Sequence, residues 1–261
     1  MPKILLSTAS LYPYSLKEVF SIAKDTEFDG LELVISGKCL EGDFSNVKDL
    51  TNSYNLPIYT VHEPLFLFYR KPGVENSLKL TFNVASHLKC DSVTLHLPPL
   101  LRPDNSHPWW DSYSKQFLKV ILNNDFKPLI ALETVFDRKF NLFKKYFADP
   151  NVLISYTLKH NLFITFDTTH HGLRSYSVEK TFDILKSRII NIHLSNTKRR
   201  KHELPYLGKI PLKKFLKFIS NRNYRNFLTL EISPFALNFW NKKRVKERLK
   251  RSINFCKENI Y

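Results

Sequence analysis

The sequence predicts an α/β protein built as a single (β/α)8 TIM barrel, and three observations carry that expectation. Short apolar, β-branched runs alternate with longer segments of helical period along the whole chain. The 261 residues, 43% of them hydrophobic, suffice for one large core, and α/β barrels of this size fold as one domain, so residues 1–261 read as one unit. Polar residues capable of chemistry recur at the end of one run after another, and a barrel gathers those ends on one face.

The predicted strands are, in order, "KILLST", "GLELVIS", "IYTVH", "SVTLHL", "LIALET", "FITFDT", "IINIHLS" and "FLTLEIS". The predicted helices between and after them are "SLKEVFSIAKDTEF", "DFSNVKDLTNSYN", "NSLKLTFNVASHLK", "SYSKQFLKVILNND", "NVLISYTLKHN", "SVEKTFDILKS", "PLKKFLKFISNRNY" and "NKKRVKERLKRSINFCKEN". Several begin with Ser, Asn or Asp, whose short polar side chains accept hydrogen bonds from the first free backbone N–H groups of a helix. In "SVEK" the Glu follows Ser177 by two residues, one short of a capping box. "LRPDNSHPWWD" and "FDRKFNLFKKYFADP" break the rhythm after the fourth and fifth strands and read as long loops. No linker, low-complexity tract or repeat interrupts the pattern.

Composition narrows the classes. No run of about 18 apolar residues is present, so a membrane partner is not expected. The opening "MPKILLSTASLYPYS" turns polar too early for a secretory signal. Cys39, Cys90 and Cys256 form no CxxC pair and are odd in number, which suits reduced thiols and a cytoplasmic location. The net charge of +16 favours polyanions or phosphorylated ligands, although a chain rich in Lys, Asn, Phe and Ile and holding 6 Gly also accumulates surface Lys by composition alone.

The strand ends carry the chemistry. The third run ends at His62, the fourth near His96 and the fifth near Glu133. The sixth ends at Asp167 with His170 three residues on, the seventh near His193 and the eighth near Glu231. Any one of these is explained by a hydrogen-bonded structural side chain or by a strand edge facing solvent. A buried carboxylate is costly unless it is paired or bound to a cation, and carboxylates converging with imidazoles are what a divalent metal ion requires. Acid-rich sets suit Mn or Mg and the His pair leans to Zn; one ion is expected and a second is compatible with the residues.

"TVHEP", "LHLPP", "ALET", "FDTTHHG", "IHLSNTKRRKHELPYLGKI" and "LEIS", in this order, resemble the xylose isomerase-like TIM-barrel superfamily over essentially the whole chain. That group includes sugar and sugar phosphate isomerases and epimerases, and the endonuclease IV-like nucleases of AP endonuclease family 2. The epimerase branch implies one metal, often manganese, held by Glu133, Asp167, His193 and Glu231. In that branch Glu133 and Glu231 double as acid and base, and His170 and Arg199 hold substrate oxygens. The nuclease branch implies zinc held by His62, His96 and Glu133, and a second zinc sharing Glu133 with Asp167, His193 and Glu231. It implies a third ion on His170 and His202. That third position also needs a carboxylate two residues before His202, where this chain has Arg200. The nuclease branch further implies "ENT" after the fifth strand and Gly-Glu-Gly near the seventh, where this chain reads "LETVFDRK" and "LGKI".

"NTKRRKH" follows the seventh strand and is expected on the catalytic face. Lys198, Arg199, Arg200 and Lys201 either form a solvated basic loop or hold an anion, and Arg pairs bidentately with phosphate oxygens. The expected function is a divalent-metal-dependent isomerase or epimerase acting on a sugar or sugar phosphate, with proton transfer next to a carbonyl by Glu133 and Glu231. The alternative is a metal-dependent phosphodiesterase on abasic or damaged DNA, with DNA held by the basic surface. A third reading is a non-enzymatic barrel with structural zinc, but a structural site closes with four ligands and needs no more.

Overall fold

The structure is a computed structural model and describes residues 1–36, 44–64, 73–96, 117, 119–121, 128–134, 148–172, 177–198 and 202–260. Eight parallel strands close into a barrel in chain order. They are β1 (Lys3–Ser7), β2 (Gly30–Val34), β3 (Ile58–His62), β4 (Ser92–His96), β5 (Leu129–Glu133), β6 (Phe163–Asp167), β7 (Ile189–Leu194) and β8 (Phe227–Leu230). Each lies within its predicted run, and β1 pairs with β8 to complete the ring.

Among the described residues the helices are α1 (Leu16–Asp25), α2 (Ser45–Tyr54), α3 (Gly73–His87), α4 (Pro150–Lys159), the short α5 (Thr168–Gly172), α6 (Val178–Leu185), α7 (Leu212–Asn221), the short α8 (Pro234–Leu237) and α9 (Lys242–Ile260). Phe117, Val120 and Ile121, from the predicted helix before β5, are buried. The loop "LRPDNSHPWWD" and most of "FDRKFNLFKKYFADP" lie outside the described residues.

Helix starts follow from capping chemistry. Ser15 accepts from the Glu18 N–H while Glu18 reaches back to the Ser15 N–H, a full capping box on α1. Asp149 accepts from the Asn151 N–H with Pro150 just inside α4, where a missing N–H costs nothing. Ser177 caps α6 through the Lys180 N–H. Helix α9 buries Val245, Leu249, Ile253 and Cys256, one stripe at helical spacing. On its flank Lys242, Lys246 and Lys250 pair with Glu18, Asp25 and Glu27 at 3.0, 2.6 and 2.6 Å. Burial pushes the Cys90 thiol up to about 12, and Cys90 and Cys256 both sit in the core. No described helix is long and apolar enough to cross a membrane.

The barrel interior is unusual for its polarity. Bulky branched side chains ordinarily fill this space. Here Thr60 Oγ1 and Asn191 Nδ2 donate to Glu32 Oε2 (2.8 and 2.9 Å), Thr229 Oγ1 donates to Asn191 Oδ1 (2.8 Å), and the Thr94 and Thr165 hydroxyls meet at 2.9 Å across the lumen. Strand side chains alternate faces with a period of two. Two residues beyond Thr60, Thr94, Thr165, Asn191 and Thr229 stand His62, His96, Asp167, His193 and Glu231. A polar layer thus underlies a second layer at the C-terminal mouth, while Val61, Leu95, Phe166, Ile192 and Leu230 face the helices and join the core.

Candidate metal centre

Residues of the upper layer converge. Glu133, Asp167, His193 and Glu231 each bring a ligand atom within 4.8 Å of the others. His62, His96 and Glu133 form a second such group, and Asp167, His170 and His202 a third. Glu133 and Asp167 are each shared between groups. At the centre, His193 Nδ1 lies 3.1 Å from Glu133 Oε1 and 2.9 Å from Glu231 Oε2. His96 Nε2 lies 3.1 Å and His62 Nε2 3.8 Å from Glu133 Oε2.

Local folding explains two of these placements. Asp167 ends β6, and its Oδ1 accepts from the His170 N–H at 2.8 Å, the contact of an N-cap with the third residue of α5. The Asp-x-x-His spacing thereby sets His170 beside the carboxylate that starts its helix. His202 has φ of 56°, a left-handed backbone uncommon for a residue with a side chain. Its loop is tied down by Asn196, which is buried. Asn196 Oδ1 accepts from the N–H groups of Thr197 (2.8 Å) and Ile210 (2.9 Å), and Nδ2 donates to the carbonyls of Pro205 (3.1 Å) and Ile210 (3.0 Å). Gly208, at φ of +145°, packs so closely that a Cβ there would sit 2.2 Å from Asn196 Oδ1.

A metal ion needs imidazoles with one nitrogen free and the ring held by a partner on the other. His62 Nδ1 is 2.7 Å from the Glu63 carbonyl, and His96 Nδ1 is 2.9 Å from the Glu63 carboxylate. His170 Nδ1 is 2.7 Å from the Thr134 carbonyl, and His202 Nδ1 is 3.1 Å from Ser195 Oγ. His193 is held through Nε2, hydrogen-bonded to Glu32 Oε2 at 3.1 Å, so its Nδ1 faces the cluster. Asp167 Oδ2 is fully buried, accepts no hydrogen bond from a described group and lies 3.7 Å from His170 Nδ1. A buried carboxylate oxygen left without a donor is costly unless a cation faces it. The donor set and this oxygen fit a divalent ion.

Charge in the cluster is correspondingly biased. Burial pushes His62, His96 and His193 toward neutrality, but the surrounding carboxylates prevail: His62 and His193 are raised, and His96 reaches about 10. Burial likewise resists ionisation of Glu133 and Glu231. The imidazoles overcome it, holding Glu133 well below its usual range and Glu231 at about 2.

Of the residues singled out in the sequence, His62, His96, Glu133, Asp167, His170, His193, His202 and Glu231 are thus brought together. Lys198 is exposed in the loop after β7, and Arg199 and Arg200 lie outside the described residues. Sequence reasoning passed over Glu32 and Glu63. Each left a signal: Glu32 is a charge inside the apolar run "GLELV", and Glu63 directly follows a strand-end His.

A family model described as a xylose isomerase-like TIM barrel matches residues 20–258. The chain belongs to the xylose isomerase-like TIM-barrel family. An uncharacterised protein of Mycobacterium leprae is 24% identical over 256 residues, covering 88% of this chain and 89% of its own. Among solved structures of this family's fold, the D-allulose 3-epimerase of Methylomonas sp. in complex with D-allulose superposes with a TM-score of 0.75 at 14% identity, covering 99% of this chain and 97% of that one. The AP endonuclease, family 2, of Brucella melitensis gives a TM-score of 0.68 at 15% identity, covering 90% and 94%. At these identities the likeness to both structures is one of fold.

Proposed function

We propose that the protein is a divalent-metal-dependent isomerase or epimerase that acts on a sugar or sugar phosphate by proton transfer at a carbon next to a carbonyl. The observation that carries the reading is the convergence of Glu133, Asp167, His193 and Glu231 on one point at the barrel mouth. These four side chains would hold the ion, and the ion would supply Lewis-acid polarisation of carbonyl and hydroxyl oxygens. Glu133 and Glu231 are the proton carriers. They reach the cluster from β5 and from the end of β8, and the imidazoles hold both in the ionised form. His170 and the cations Lys198, Arg199 and Arg200 are the candidate partners of substrate hydroxyl and phosphate oxygens.

Solvent exchange tests this. The metal-supplemented protein is incubated in D2O with ketohexoses, ketopentoses and their phosphates, and deuterium entering next to the carbonyl is read by NMR. Exchange that disappears in Glu133→Gln or Glu231→Gln is expected. No exchange with any of these sugars, by protein carrying its metal, would remove the proposal.

One observation favours a second reading. The additional groups His62, His96, Glu133 and Asp167, His170, His202 offer room for further ions. A multi-ion site suits phosphodiester hydrolysis, with abasic or damaged DNA as substrate.

A further inference from the structure

We propose that Glu32 is a positioning residue that fixes the tautomer of His193, so that Nδ1 offers its lone pair to the ion; this rests on the metal-dependent reading above. Glu32 is fully buried on β2 and belongs to none of the candidate ligand groups. Its two oxygens share His193 Nε2 and differ in their other neighbours. Oε2 receives the Thr60 hydroxyl at 2.8 Å and the Asn191 amide at 2.9 Å. His193 Nε2 is hydrogen-bonded to Oε2 at 3.1 Å and lies 3.0 Å from Oε1, which has no hydrogen-bond partner among the described residues. A carboxylate can only accept, so Nε2 must carry the proton it donates. In an imidazole with one proton, Nδ1 is then the bare nitrogen, and it is Nδ1 that faces Glu133 and Glu231 at 3.1 and 2.9 Å. Thr60, Asn191 and Thr229 complete the arrangement from below: the Thr229 hydroxyl donates to Asn191 Oδ1 and turns the Asn191 amide NH2 toward Glu32.

The geometry makes the isosteric change informative. In Glu32→Gln the side-chain oxygen takes the Oε2 position, where the two donors await it. The amide NH2 takes the Oε1 position, 3.0 Å from His193 Nε2, where it can donate but not accept, and only the oxygen at Oε2, already taking two donors, is left to a proton on Nε2. A proton on Nε2 then meets an N–H in place of an acceptor on one side, so the tautomer protonated on Nδ1, which blocks the ion, gains weight. Partners of this kind are worth about 10- to 100-fold in metal affinity. The change is reversible by a swap across the same hydrogen bond. In Glu32→Gln with Asn191→Asp, the new carboxylate accepts the Gln NH2, and the Gln oxygen turns back to accept from Nε2.

The test measures zinc affinity by chelator competition for the unaltered protein, Glu32→Gln and the double variant, with ring 15N NMR of the zinc-loaded forms. The expected result is an affinity lower by about 10- to 100-fold in Glu32→Gln and, in the double variant, most of that loss regained. In the unaltered protein His193 should show a protonated Nε2. Zinc binding by the unaltered protein with equal affinity in Glu32→Gln overturns the role of Glu32 alone. A zinc-loaded unaltered protein with His193 protonated on Nδ1 overturns it even where a variant fails to fold. Failure of the unaltered protein to bind any divalent ion overturns the metal reading and this inference with it.

Discussion

His193 Nδ1, on β7, lies 2.9 Å from Oε2 of Glu231, the residue that follows β8 at the barrel mouth. The pair draws its orientation from strands whose lower residues, Asn191 and Thr229, are themselves hydrogen-bonded. Glu231→Ala should therefore remove a ligand without disturbing the barrel. Metal affinity should fall by more than the about 10- to 100-fold typical of outer partners. The metal-free protein should lose less than the about 3–5 kcal/mol that stripping a buried charge of its partner costs, because His193 keeps Glu133 and Glu32. Chelator competition and thermal melting read the two effects. A large loss of metal-free stability would assign Glu231 to the scaffold.

The raised imidazoles and depressed carboxylates fix a pH profile. His96 stands at about 10 when folded against 6.5 in the unfolded chain, so its contribution is full below 6.5 and is lost as pH rises through 10. Glu231 stands at about 2 against 4.5, so its contribution is present above 4.5 and is lost as pH falls through 2. The metal-free protein should melt highest between these limits, at pH 4.5 to 6.5. Metal binding must expel protons from the same imidazoles, so zinc affinity should rise with pH over the range where metal-free stability declines. Calorimetry in buffers of different ionisation heat measures the released protons; a pH-independent affinity would contradict the ligand set.

Much of this was legible in the sequence. All eight strands fall within their predicted runs because both faces of a parallel barrel are buried and write apolar stretches. The upper layer was visible for the same reason: His62, His96, Asp167 and His193 interrupt those stretches at their ends. The polar layer below was not. Thr60, Thr94, Thr165 and Thr229 have high strand propensity and read as ordinary β-branched residues. Glu32 and Glu63 act through contacts with strands distant in sequence, Glu32 with Asn191 and His193 and Glu63 with His96, so local pattern could not reveal their partners. The short helices α5 and α8 were missed because too few residues form them to show a period.

The loop that carries His202 depends on Asn196. Asn196→Ala strips partners from the N–H groups of Thr197 and Ile210 and from the carbonyls of Pro205 and Ile210. Leaving such groups unsatisfied should cost about 1–3 kcal/mol in chemical denaturation. Gly208→Ala should act in the same direction, since its Cβ would collide with Asn196. Unchanged stability in both variants would show that the loop is held by other contacts.

Salt dependence separates the two candidate substrates. A phosphodiester backbone contacted by the cations near Lys198 releases counterions, so log affinity for duplex DNA should fall with log salt at about −0.9 per phosphate contacted. The sugar phosphate reading predicts a shallow dependence and no preference for an abasic-site duplex over an intact one. Steep dependence with a marked preference for abasic-site duplex would favour the phosphodiesterase.

The central claim is that the strand-end cluster binds a divalent ion, and elemental analysis of the purified protein tests it most directly. After growth with zinc and manganese, the unaltered chain should retain at least one divalent ion, and Asp167→Ala, which removes a carboxylate shared between two of the ligand groups, should lose it while remaining folded. One ion fits the isomerase or epimerase, and two or more move the assignment toward phosphodiester hydrolysis. An unaltered protein free of divalent metal, or an Asp167→Ala variant that holds as much as its parent, would contradict the account.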